Sequence, residues 1–160
     1  MRLSIFQRFR SAPMTNLSVI VYRSRAVTLL TDIDLFYLLA HARERNKVSD
    51  LSGVILYDRG HFFQWLEGTN RELGKVWTSI RRDPRHADIR VLADQEIPVR
   101  LFEGWTMQLA HRDREHEGIA DSFAITSAAL LDDLHLNPAK VPNILASFSK
   151  LGDSFDTISA

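Results

Sequence analysis

The chain has 160 residues, a formal net charge of zero, 45% hydrophobic and 25% charged residues, and no cysteine. That length holds one well-buried domain with a short appendage, and the charge balance argues against wholesale binding to nucleic acid or membrane. The missing thiols exclude disulfides, thiolate metal sites and cysteine nucleophiles, and no apolar run approaches the roughly 20 residues that span a bilayer, so a cytoplasmic location is expected.

In chain order, the first fourteen residues, MRLSIFQRFRSAPM, carry three arginines and no acid. They read as an N-terminal extension (1–14): a basic amphipathic arm, a segment resembling a targeting sequence, or residues upstream of a natural start at Met14. Leu17–Tyr22 is apolar and partly β-branched, which predicts a strand. Thr31-x-x-Asp34 is a near capping box, and the helix it opens carries Leu35, Leu38, Leu39, Ala42 and then Asn46 on one face. Leu51–Tyr57 and His61–Glu67 read as a hairpin closed by Asp58-Arg59-Gly60. Thr69-x-x-Glu72 caps a second helix, which turns Leu73, Val76 and Ile80 inward and stops at Asp83-Pro84. Ile89–Val91 starts a fourth strand. Trp105–Leu109 reads as a fifth, with Trp105, Met107 and Leu109 on one face.

The order β-α-β-β-α-β with one added strand predicts an α+β, ferredoxin-like sandwich over residues 15–111, both helices on one face of the sheet. HRDREHE (111–117) reads as a charged linker. Residues 112–160 are expected to hold that linker and a C-terminal helical pair, one helix carrying Ile119, Phe123, Leu130, Leu131 and Leu134, the other Val141, Ile144, Leu145, Phe148 and Leu151. These stripes need a surface to cover, which suggests packing on the open sheet face and a homodimer or higher homo-oligomer.

Several motifs invite a chemical reading and do not sustain it. GTNRELGK (68–75) has five residues between its glycines where a phosphate loop has four, and Val76 stands in place of Ser/Thr. No G-x-G-x-x-G is present. His111 and His116 sit among acids, as a metal site or as a solvated linker would have them. RRDPRH (81–86) fits a helix end or an anion contact equally.

The informative residues are polar ones in apolar places. Tyr22 ends an apolar run, Asn46 continues a helix stripe, and Gln64 shares a strand face with Phe62 and Leu66. A buried amide or phenol without partners costs roughly 1–3 kcal/mol. These groups must satisfy one another or something polar within the core, and a planar heterocycle with ring nitrogens and carbonyls would suit.

VYRS (21–24), RERN (43–46), SGVILYDRGHFFQWLEG (52–68), RRDPRH (81–86) and GWTMQLA (104–110) together resemble the BLUF family, blue-light sensors that use flavin. The resemblance covers residues 15–110. It implies a flavin, usually FAD with FMN or riboflavin as alternatives, inserted between the two helices. It further implies Tyr22 as electron and proton donor, Gln64 as switch amide, and Asn46 as a ring-edge contact. Ser24, Arg45, Phe62, Ile80, Arg85 and His86 would be cofactor-contacting or neighbouring positions, with Trp105 and Met107 as relay residues. Ser79 departs from relatives that carry a basic side chain there. The implied function is a photoreceptor, not an enzyme, signalling through a downstream protein partner, with no nucleic-acid or membrane role. A small acylphosphatase-like hydrolase and a flavin-free regulatory domain are the alternatives, and both leave Tyr22 and Gln64 unexplained.

Overall fold

The computed structural model describes residues 4–6 and 16–151. Thr31 caps the first helix, α1 (Asp32–Ser49): its Oγ1 accepts the Asp34 N–H at 3.2 Å, and Asp34 Oδ2 accepts the Thr31 N–H at 2.9 Å. Thr69 Oγ1 accepts the Glu72 N–H at 3.4 Å and opens α2 (Asn70–Arg82). Between them β2 (Ser52–Asp58) and β3 (His61–Thr69) form a hairpin. Arg59 and Gly60 both take positive φ, 48° and 75°, as the tight turn between right-twisted strands requires.

β1 (Leu17–Ala26) pairs antiparallel with β3 and with β4 (His86–Glu96). β5 (Gln108–Arg112) adds parallel to β2, and β6 (Ser122–Ile125) parallel to β5. Among the described residues the sheet has six strands in the order β4-β1-β3-β2-β5-β6. The βαββαβ core is the expected ferredoxin-like arrangement.

The C-terminal part differs from the sequence expectation in three ways. The fifth strand is Gln108–Arg112, not Trp105–Leu109. Its ladder with β2 begins only at Val54↔Gln108, because the Trp105 N–H is turned back to the Phe102 carbonyl at 2.9 Å. The expected boundary at residue 111 therefore falls inside a strand, and HRDREHE begins as sheet rather than as linker. Finally, Phe123 lies in a sixth strand, not in a helix, and the helix expected from Ile119 starts at Ala128. The helical pair itself is α3 (Ala128–Leu136) and α4 (Val141–Ser147), joined by a 3-10 turn at Pro138–Lys140.

Two cores result, one on each face of the sheet. α1 and α2 cover Ile20, Tyr22, Ile55, Phe62 and Leu66. α3 and α4 cover Val19, Val21, Val54, Phe63 and Trp65 with Leu131, Leu134, Val141 and Leu145. The open sheet face is thus covered by the C-terminal helices of the same chain, as their apolar stripes led one to expect. Of the N-terminal extension, residues 4–6 are described: Phe6 stacks on Trp65 with centroids 6.1 Å apart, and the Ile5 N–H donates to Asn143 Oδ1 at 2.8 Å. The rest of the extension and the tail after Leu151 lie outside the described residues.

One polar contact fastens α3 to the sheet. Asp58, wholly buried at the end of β2, accepts from Arg112 Nε and Nη2, both at 2.9 Å, and from His135 Nε2 at 2.7 Å. Burial pushes its carboxyl pKa up, but the hydrogen bonds from His135 and Arg112 and the Arg112 charge outweigh it and hold it at about 2, below the ordinary 3.8. A depressed folded value contributes stability that is present above the unfolded pKa and lost as pH falls through the folded one. Asp58→Asn should therefore cost about 2 kcal/mol at pH 7, a gap that closes between roughly pH 4 and pH 2. Urea titrations of both proteins across that range would show it; a pH-independent gap would refute the linkage.

Candidate functional site between the two helices

β1 and β3 place Tyr22 directly opposite Gln64. Both side chains point toward the helices, because each alternates with a residue buried on the other face. The Tyr22 hydroxyl donates to Gln64 Oε1. The other end of the same amide, Nε2, faces Met107 Sδ at 3.5 Å. Gln64 is thus held at both ends, oxygen toward the phenol and nitrogen toward the thioether. Burial pushes the Tyr22 pKa well above its ordinary value against the opposing effect of the Arg45 charge, so the phenol keeps its proton.

An open cleft of about 260 Å³ lies over this pair. Its floor is Tyr22, Ile55, Phe62 and Gln64 from the sheet. Leu38, His41, Ala42 and Arg45 form the α1 wall, and Ile80, Asp83, Arg85 and His86 the wall at the end of α2. His86 is fixed through both ring nitrogens. Nε2 lies 2.7 Å from the Ile80 carbonyl, so it carries the hydrogen, and Nδ1 at 2.8 Å accepts from the Ser24 hydroxyl. Ser24 thereby supports the cleft from beneath without lining it. Arg85 is paired with Asp83, Nη2 to Oδ2 at 2.6 Å, which lowers the Asp83 pKa and raises that of Arg85.

Asn46, next to Arg45 on α1, is fully buried and does not line the cleft. Its Nδ2 donates to the Thr106 carbonyl at 2.7 Å, while among the described residues its Oδ1 has no donor. Arg45 Nε is likewise buried without an acceptor, and burial depresses the Arg45 pKa.

Of the sequence-derived positions, Tyr22, Arg45, Phe62, Gln64, Ile80, Arg85 and His86 meet around the cleft. Met107 joins them through Gln64. Trp105 does not. It packs against Phe102 (5.2 Å) and Phe123 (6.0 Å) on the opposite face, because the segment ahead of β5 is a turn and does not alternate as a strand does. Ser79 is exposed on α2. Three neighbours escaped the sequence reading. His41 and Asp83 line the cleft, and the ring of Trp77 lies 5.0 Å from that of Tyr22. His41 was legible in principle, three residues beyond Leu38 and four before Arg45 on one helix face.

A family model described as "Sensors of blue-light using FAD" matches residues 17–108. The chain belongs to this family, BLUF. The blue light- and temperature-regulated antirepressor BluF of Escherichia coli (strain K12) is 30% identical over 122 residues, 73% of this chain and 30% of that protein. The photoactivated adenylate cyclase subunit alpha-like protein FB of Euglena gracilis is 41% identical over 76 residues, 47% of this chain and 8% of that one. The chain therefore spans no more than about a third of the length of these curated relatives. Among solved structures, the dark state of the BLUF protein BlrB aligns with a TM-score of 0.67 at 26% identity, over 84% of this chain and 98% of that one. The ground state of BlsA gives 0.58 at 28% identity, over 61% and 66%. Residues 17–108 are thus a BLUF domain, a flavin-binding sensor of blue light.

Proposed function

We propose that the cleft between α1 and α2 holds the flavin ring and that Tyr22 and Gln64 are its photoactive pair. The hydrogen bond from Tyr22 to Gln64 at the cleft floor carries this reading. The residues suit a flavin. Asn46 Oδ1 is a buried acceptor lacking a donor and Arg45 Nε a buried donor lacking an acceptor, the complement of a ring edge that alternates N–H and C=O. Ile55, Phe62 and Ile80 supply apolar faces for a flat ring. FAD, the flavin of the family's description, is the proposed form, and chromatography of the flavin released by heat distinguishes it from FMN.

A bound flavin absorbs blue light and, once excited, is a strong one-electron oxidant. Tyr22 gives up an electron and its Oη proton and then recovers both, so no net oxidation remains. Gln64 supplies the memory. An amide has one acceptor end and one donor end, and reversing it turns Nε2 toward Tyr22 Oη and Oε1 toward Met107 Sδ. Signalling by protein contact, with a two-fold homodimer, a downstream partner and a cytoplasmic location, belongs to the same proposal. Because α3 and α4 cover the sheet, the surface offered for such contact is the outer side of α1, where Ile33, Phe36 and Tyr37 are 68%, 57% and 60% exposed.

The purified protein should be yellow. Its flavin absorption should move to longer wavelength under blue light without bleaching and return in darkness. Persistent bleaching or an unchanged spectrum would sink the assignment.

A further inference from the structure

Glu67 lies three residues beyond Gln64 on β3, wholly buried, and the switch described above makes no use of it. Alternation along the strand sends the two side chains to opposite faces. The Glu67 carboxylate takes four donors. Oε1 accepts the Phe102 N–H at 2.6 Å and the Ser52 hydroxyl at 3.3 Å. Oε2 accepts the Leu101 N–H at 3.0 Å and the Trp65 indole N–H at 3.2 Å. Burial pushes the Glu67 carboxyl pKa above its ordinary value, and the hydrogen bonds from Leu101, Phe102, Trp65 and Ser52 oppose it. Three of the four donors, two backbone amides and an indole, cannot accept a proton in return, so the geometry favours the carboxylate.

Two of those donors are backbone groups of residues 97–107, the segment between β4 and β5 that no strand ladder holds. The far end of the same segment meets the flavin side. The Thr106 carbonyl accepts from Asn46, and Met107 Sδ faces Gln64. The segment is thus tied to one strand at both of its faces, to Gln64 through Met107 and to Glu67 through Leu101 and Phe102. Between them the Trp105 carbonyl accepts the Gly53 N–H at 2.9 Å, and Arg100 is bonded to Asp50 and Ser52. Phe102, gripped by Glu67, lies against Trp65 at 5.8 Å and Trp105 at 5.2 Å, and so looks toward the face covered by the C-terminal helices.

We propose that Glu67 is a positioning residue of the photoswitch. It sets where Thr106 and Met107 meet Asn46 and Gln64, and it receives the reversal of the Gln64 amide as a loosening of its bonds to the Leu101 and Phe102 amides. The physical reason is local. A reversed Gln64 turns a carbonyl oxygen toward the Met107 sulfur, so a weak donor–acceptor contact becomes two facing lone-pair groups. Met107 must shift, and the strain falls on the other end of its segment. The inference rests on Tyr22 and Gln64 being the photoactive pair.

Hydrogen exchange of the flavin-loaded, full-length protein tests it without substitution. The Leu101 and Phe102 amides should be protected in darkness and exchange at least about tenfold faster under continuous blue light, while the β1–β3 ladder stays protected. Glu67→Gln brings two amide hydrogens against the existing donors. It should retain flavin and still form the red-shifted state, but return to the dark state at least about fivefold more slowly, with Glu67→Asp intermediate, because a weakened grip relieves the strain that drives Gln64 back. If the wild type shifts under light while both amides exchange equally in dark and light, or if Glu67→Gln folds and recovers at the wild-type rate, the role of Glu67 is overturned and the Tyr22–Gln64 pair stands. If the wild type shows no shift, the pair falls and takes Glu67 with it.

Discussion

Gln64→Leu should bind flavin and lose the light-induced red shift completely. Leucine matches glutamine in length closely enough to occupy the space above Leu66 and beside Met107, and the cleft floor it joins already contains Ile55 and Phe62. Binding should survive because the α1 and α2 walls and the unpaired groups of Asn46 and Arg45 are untouched. What disappears is a side chain with different functions at its two ends. With no amide to reverse, light can still move charge from Tyr22 and back, but nothing stores the event. The substitution also strips the buried Tyr22 hydroxyl of its acceptor, an unpaired polar group that costs roughly 1–3 kcal/mol. A lowered denaturation midpoint with flavin retained is therefore part of the expected result. Difference spectra before and after illumination decide the matter, and a red shift of normal size would remove Gln64 from the switch.

The sandwich was legible in the sequence wherever local chemistry and tertiary structure agree. Thr31 and Thr69 cap helices because their side chains reach the first free N–H groups, a contact within four residues. The Arg59-Gly60 turn is equally local. The errors concentrate where the chain has two ways to satisfy the same pattern. WTMQL (105–109) alternates as a strand should, yet the edge of β2 accepts a parallel partner only from Gln108 onward, and the Gly53 N–H is already taken by the Trp105 carbonyl at 2.9 Å. No periodicity reports that competition. SFAI in β6 is four residues long, and its pairing with β5 is decided by a neighbour that was itself misplaced.

The site was legible for a different reason. Tyr22, Asn46 and Gln64 contradict the apolar pattern around them, and a contradiction in a core is informative because it carries a free-energy cost. His41 and Asp83 contradict nothing, since a polar residue on an accessible helix face or at a helix end is ordinary, so their place in the cleft emerged only from the structure. Glu67 is the instructive intermediate case. It ends an apolar strand, as a solvated acid would, and only the fold shows Leu101 and Phe102 delivering their N–H groups to it from more than thirty residues away.

Tyr22→Phe should abolish the photocycle as completely as the loss of Gln64, with a smaller effect on stability. Phenylalanine keeps the ring and its contacts with Trp77 at 5.0 Å and His86 at 6.2 Å, so the packing of β1 against α2 persists. The loss is one hydroxyl that donates one hydrogen bond, worth about 1 kcal/mol. Gln64 then lacks a donor on Oε1, and the amide is free to choose its orientation by Met107 alone. A protein with no phenol has no proton to lend at that position. Trp77, in contact with the same ring, is another oxidisable side chain at that position, but it bonds to neither end of the Gln64 amide. Electron loss from Trp77 would therefore quench the excited flavin without reversing the switch. The expected outcome is shortened flavin emission together with no lasting spectral change, read by time-resolved fluorescence and by light-minus-dark absorption on the same sample. A normal red shift in Tyr22→Phe would mean that the proton lent to the switch comes from elsewhere in the cleft.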